Sequence, residues 1–183
     1  PDPIVTHRLH NYDNDNIINQ IHYLGIENRP NNPVKLIFIP SYLTGSDGLI
    51  DMPYYDILMG MDATAFPSYY EPWGYTPLES IAFGIPTVTT QLSGFGQWII
   101  NHEAHTMQDT GVEVLQRNDN NFIDVSEQLA STIVSMVQLK KNAKTALNKA
   151  ASKQAAEAEW KNFIVYYQEA YAIALQHSKE RNK

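Results

Sequence analysis

Two glutamates, Glu71 and Glu79, stand eight positions apart in the stretch FPSYYEPWGYTPLESIAFGIPTVTTQLSGFG, and their surroundings differ in kind. Glu71 falls in an aromatic loop among Tyr69, Tyr70 and Trp73, where no structural role accounts for a carboxylate. Glu79 falls in a helix whose start is written in its residue types. Thr76 suits an N-cap, and Pro77 suits the first helical position because its missing N–H would be an orphan donor there. Glu79 then completes a capping box, and Gly84 with Pro86 beyond it ends the helix. The helix start faces the loop Glu71-Pro72-Trp73-Gly74-Tyr75, so free amides and the positive dipole end offer a seat for an anion such as phosphate.

These groups need a scaffold, and the chain supplies alternating elements. Asp13–Leu24 puts Ile17, Ile18, Ile21 and Leu24 at helical spacing, with Gly25 as its stop. Val34 to Ile39 is a short apolar run of the kind a buried parallel strand carries. A helix is expected over 53–61, a strand over 63–66, the motif helix, a strand over 87–90, a helix from Gly94 to Ile100 and a strand over 112–115. Strands alternating with helices at this spacing predict an α/β fold with a Rossmann-like, doubly wound parallel sheet, whose ligands bind beyond the carboxyl ends of the strands. From Asn121 the pattern is helical only: a first helix over 125–139, a second rich in Lys and Ala to about Glu157, and a third over 158–177. Residues 1–120 therefore read as part of a nucleotide-binding domain, and 121–183 as C-terminal helices ending in a frayed tail from Ser178. The third helix carries Trp160, Phe163, Ile164, Tyr167 and Tyr171 as a stripe too apolar to face water unaided.

Composition narrows the function classes. A net charge of -7 disfavours a nucleic-acid partner, whose phosphates call for a basic face. There is no run long and apolar enough for a membrane helix and no secretory leader, and the absence of cysteine leans toward a cytoplasmic protein. His102 and His105 form H-x-x-H, which lacks the glutamate of a zinc-protease motif and reads as two polar side chains at a helix end on the surface. Asp13, Asp15 and Asp47 lack the spacing of a calcium loop. No metal site is legible.

The full run from Phe66 to Gly96 closely resembles the donor-site segment of the eukaryotic-type glycogen synthases, retaining GT-B glucosyltransferases. The likeness extends to PIVTHRLHNYDND, VKLIFIPSYL and EAEWKNFIVYYQEAYAIAL, and so covers most of the chain. The resemblance implies the C-terminal domain of a GT-B fold, UDP-glucose as donor, a glycogen-type α-glucan as acceptor, and no metal or other cofactor. It implies that Glu71 acts at the sugar as the catalytic carboxylate and that Glu79 binds the ribose. Gly74, Tyr75 and Thr76 would receive the diphosphate and sugar, with Trp73 beside them, and Tyr54 would stack on uracil. Capping alone explains Glu79 and, apart from the resemblance, is its first reading; Tyr54 could be a residue packed on a helix face, with Tyr55 beside it open to the same argument. The Ser93-Gly94-Phe95-Gly96 loop reads first as a tight strand-to-helix turn.

Between Lys35 and Arg117 the chain has no lysine or arginine, yet a diphosphate leaving group needs cations. The resemblance places them upstream, in an N-terminal domain on which the third helix would also rest. Pro1 stands where an initiating methionine would be, so the chain is expected to be the later part of a longer protein. One departure is clear: Lys140, Lys141, Lys144, Lys149 and Lys153 replace the arginine cluster that animal and fungal members use for sugar-phosphate activation. Lysine lacks the planar fork, so that activation is expected to be weak. A related glucosyltransferase forming sucrose or a glucoside would share the glutamate spacing, and a non-catalytic nucleotide-sugar-binding module would share the fold. The EPWGYTP and LSGFG details favour the glycogen synthase reading, which leaves homo-oligomerisation open.

Overall fold

In the computed structural model, which describes residues 4–101 and 106–181, the chain divides into two units between Ile57 and Leu58. In the first unit, Asp15 caps α1 (Asn16–Tyr23), its carboxylate accepting from the Ile17 and Ile18 amides at 2.9 and 3.0 Å. Ile18 and Ile21 are buried, whereas Ile17 and Leu24 of the expected apolar face lie exposed. Asp47 likewise serves its own loop, accepting from Leu49 and Ile50. These turn amides, Ile50 first, hold its carboxyl below the ordinary range against the opposing effect of desolvation.

The run Val34 to Ile39 is not the expected buried strand. Phe38 makes one parallel bridge to Val5, and Val34 and Ile37 are 74% and 63% exposed. The reason lies in where the backbone bonds go: the Asn28 side-chain amide donates to the Leu36 carbonyl at 2.6 Å and accepts from the Leu36 amide at 2.8 Å. A side chain thereby takes the place of a neighbouring strand. The short helix α2 (Tyr54–Leu58) falls within the span expected for it.

The second unit is built on a parallel sheet of β1 (Thr64–Ala65), β2 (Thr87–Thr90) and β3 (Val112–Leu115), in that spatial order. Thr87 stands opposite both Thr64 and Val112. Parallel strands need crossovers, and helices supply them. Helix α3 (Tyr75–Ala82) joins β1 to β2, while α4 (Gly94–Ile100) and the short α5 (Met107–Thr110) lie between β2 and β3. Then come α6 (Phe122–Val137), α7 (Lys141–Glu157) and α8 (Trp160–Arg181). Val112 packs with Ile81, Phe95, Ile99 and Ala151, whereas Leu115 packs with Val88 and Val125. Residues three apart on a strand face opposite ways, so helices cover both faces of the sheet.

The central strand is β-branched at every position and buried at every position, yet three of its four residues are threonines. Their hydroxyls are accounted for. Thr87 and Ser80 each lie in hydrogen-bond contact with Thr64, at 2.8 and 2.6 Å, and the Thr89 and Ser93 hydroxyls meet at 3.2 Å. Thr90 donates to the Ser68 carbonyl at 2.7 Å, tying the end of β2 to the loop that leaves β1.

Glu113, on β3 and in register with Val88, is half-buried, and burial pushes its carboxyl above the ordinary range. An acid whose pKa is raised by folding binds more protons folded than unfolded, so its contribution to stability declines as pH rises through that window. Glu113→Gln is therefore expected to melt higher than wild type at pH 7.5, with the difference vanishing at pH 4. Equal melting temperatures at pH 7.5 would show that the strand hydrates this carboxylate fully.

Helix α8 continues through the tail expected to fray. Gln176 donates to Glu180 one turn on at 3.0 Å, and Lys179 and Arg181 stand in the last turn, where the dipole favours cations. None of its described residues is buried; of the apolar stripe Trp160, Tyr167 and Tyr171 are 58%, 47% and 63% exposed, whereas Phe163 and Ile164 are half-buried, so the stripe is uncovered in part. Of the lysines before it, Lys144 pairs with Asp62.

Candidate functional site

Gly74 decides where the motif helix begins. Its φ of 109° lies in the left-handed region that L side chains rarely adopt, and it turns the chain so that α3 starts at Tyr75. The expected capping box is therefore absent. Gly74 is the N-cap, no side chain bonds there, Thr76 and Pro77 are the second and third helical residues, and Glu79 is the fifth. Pro77 keeps its fit because the third amide of a helix is also an orphan. Capping of α3 therefore does not account for Glu79.

The loop before α3 rests on the turn after β2. Glu71 forms a parallel bridge with Ser93: its amide donates to Leu92 at 3.2 Å, and its carbonyl accepts from Gly94 at 3.1 Å. The Phe95 amide then donates to the Trp73 carbonyl at 2.6 Å. Gly94 permits this approach, since a Cβ there would stand 2.4 Å from the Pro72 oxygen. Ser93 caps α4 by accepting from the Gly96 amide at 2.9 Å, so the SGFG segment is the tight turn its residues suggest and also the abutment of the motif loop.

Glu71 and the start of α3 come together as a result. A Cβ on Gly74 would lie 3.5 Å from Glu71 Cγ, so the half-buried Glu71 side chain passes close to the residue that starts the helix. Tyr75 and Thr76 are exposed at that entry, and Glu79 is half-buried along the same helix. Trp73 is drawn inward. Its ring packs against Phe95 at 6.1 Å, Trp98 at 6.3 Å and Phe163 of α8 at 5.6 Å. A cavity of about 520 Å³ opens beside it, lined by Trp73, Tyr75, Leu78, Trp160, Phe163 and Tyr167 among others. Tyr54 belongs to the first unit, at the start of α2, with its ring 5.4 Å from that of Tyr55. His102 and His105 lie outside the described residues.

The sequence reading missed a group at the carboxyl end of the sheet. Arg117, two residues past β3, donates from its guanidinium to the Pro67 carbonyl at 2.5 Å and lies 4.6 Å from the centre of the Tyr69 ring. Tyr69 in turn donates to Asp119. The Gln91 side chain, one residue past β2, accepts from the Arg117 amide at 2.7 Å and donates to its carbonyl at 2.5 Å. The available signal was position: a lone arginine just beyond a strand end, where parallel sheets gather their ligand loops.

Residues 1–181 match the family described as Glycogen synthase. The chain is 32% identical to a Glycogen [starch] synthase of Neurospora crassa over 173 residues, 94% of this chain and 24% of that protein. It is 33% identical to one of Caenorhabditis elegans over 175 residues, 95% of this chain and 26% of the relative. Against isoform 2 of Saccharomyces cerevisiae it is 32% identical over 174 residues, 94% of this chain and 25% of the relative. The chain thus spans about a quarter of the length of the curated relatives it matches.

Proposed function

Because this chain belongs to the glycogen synthase family, we propose that it forms the donor-binding part of a retaining glucosyltransferase. The enzyme moves glucose from UDP-glucose to the non-reducing end of an α-1,4-glucan, within a GT-B arrangement whose C-terminal domain is Rossmann-like. The observation that carries this reading is the meeting of Glu71 with the left-handed start of α3, a carboxylate set against an anion seat. Transfer with retention puts positive charge on the sugar ring and negative charge on the departing phosphate. Glu71 addresses the first, and the amides of Gly74, Tyr75 and Thr76 with the helix dipole address the second.

The dipole contributes only about 0.3–1 kcal/mol per interaction. Arg117, the first cation in sequence after Lys35, has its guanidinium on Pro67 and Tyr69. The reading therefore assigns the cations for the diphosphate to another part of a protein as long as its relatives, and has that part cover α8 as well. No metal has a role in it, and the protein works in the cytoplasm.

The test is incorporation of labelled glucose into glycogen by the full-length protein, with UDP-glucose and ADP-glucose compared. Transfer from UDP-glucose is expected, and transfer from neither donor would overturn the reading. Glu79→Ala is expected to raise donor KM about tenfold, roughly 1.4 kcal/mol of ribose binding, with kcat nearly unchanged.

A further inference from the structure

We propose that Arg117 is a positioning residue for glucose transfer: it latches the Pro67–Tyr70 segment to the end of β3 and so fixes the height at which Glu71 meets the sugar. The proposal rests on the transferase reading for its kinetic consequence, but the latch itself stands on geometry alone.

Between the end of β1 and Glu71 lie five residues, 66–70, with no regular structure to hold them. Each neighbouring strand end reaches over to them. From β2, Thr90 holds the Ser68 carbonyl. From beyond β3, the Arg117 guanidinium holds the Pro67 carbonyl and covers the Tyr69 ring, while Asp119 receives the Tyr69 hydroxyl. Arg117 is held in turn, because the Gln91 amide pairs with both its backbone N–H and its carbonyl, as another strand would. A planar guanidinium can do both at once, since one edge donates in plane to a carbonyl while its face stacks on a ring. Just past the latch, Glu71 is bound through its own backbone to the β2–α4 turn. Loss of Arg117 therefore leaves the sheet and α3 in place and frees only the approach to Glu71, where a small displacement is costly to catalysis.

Arg117→Ala keeps the backbone pairing with Gln91 and is expected to fold. In the full-length protein its kcat for glucose transfer should fall about tenfold, with donor KM within threefold of wild type. Added to Glu71→Gln, the same change should lower kcat by less than twofold, because a residue acting through Glu71 has nothing left to position. Arg117→Lys should recover less than half of the loss. A further tenfold drop in the Glu71→Gln background, or full recovery by lysine, would overturn the proposal in favour of a bare charge acting independently. Amide hydrogen exchange supplies a readout that needs no activity: in Arg117→Ala, peptides covering 68–71 should exchange at least fivefold faster, while those covering β2 and α3 stay unchanged. Unchanged exchange at 68–71 would overturn the latch even in an active enzyme. Faster exchange there in a wild-type background that transfers no glucose would uphold the latch and reject the transferase reading. Tyr69→Leu, which removes the other half of the latch, is expected to reproduce both the exchange and the kcat change.

Discussion

Replacing Glu71 by alanine in the full-length protein is expected to cut kcat for glucose transfer at least a hundredfold, about 2.7 kcal/mol of barrier. Donor KM should stay within about threefold. The backbone of Glu71 is bridged to Ser93 whatever its side chain, so the substitution removes a charge and leaves the loop standing. Its side chain passes close to the start of α3, and in the proposed transferase a charge beside the sugar ring matters only as the ring becomes cationic. An interaction made only in the transition state shows in kcat and not in KM. Glu71→Gln should behave nearly as badly as alanine, since it keeps the shape and loses the charge. If Glu71→Ala keeps kcat within twofold of wild type, Glu71 is not the group that meets the developing charge. If it raises KM a hundredfold with kcat intact, the carboxylate grips the ground state.

The largest stability effect is expected from Gly94→Ala. The added methyl would stand 2.4 Å from the Pro72 carbonyl oxygen and 3.2 Å from Trp73 Cα. Both obstacles are backbone, so neither can swing aside as a side-chain end would. Overpacking of this kind costs about 1–3 kcal/mol, which for a chain of 183 residues lowers the melting temperature by roughly 3–10 °C. The same shift must disturb the bond from the Gly94 amide to Glu71 and the T-shaped packing of Trp73 on Phe95. A change in the near-ultraviolet circular dichroism of the tryptophans should therefore accompany the lost stability. A variant that melts within 1 °C of wild type would show that the loop and the turn after β2 can part without cost.

What the sequence made legible follows a physical division. β2, β3 and α4 fall where their apolar and β-branched runs place them, because burial on both sides leaves a short strand or helix one arrangement. The motif helix was legible as a helix but not in its first residue. Thr76, Pro77 and Glu79 spell a capping box by type, and a left-handed Gly74 starts the helix at Tyr75 instead. Val34 to Ile39 misled because an apolar run states a wish to be buried and not a partner, and here the Asn28 amide satisfies Leu36. Helix α5, four residues long, is too short for any periodicity to register. At the site, Glu71 stood out because nothing structural explained it. Arg117 did not, because its meaning depends on a tyrosine forty-eight positions away, brought close only by the sheet.

The threonines of β2 carry a consequence for how faithfully the sheet assembles. Valine at all four positions would bury as well and would pair with either neighbour at several offsets, since a run of like side chains recognises nothing about its own alignment. Thr87, Thr89 and Thr90 each meet one particular oxygen, on Thr64, Ser93 and Ser68 respectively. Sliding the strand by two residues against β1 would preserve the face each side chain points to and strand the Thr87 and Thr90 hydroxyls, whereas Ser93, four residues on from Thr89, would travel with it. Each stranded hydroxyl costs about 1–3 kcal/mol. The strand therefore works as a key cut for one lock, with misassembled versions penalised by about 2–6 kcal/mol, a large share of a protein's usual margin of stability. An engineer who smoothed it to valine would keep the burial and lose the proofreading.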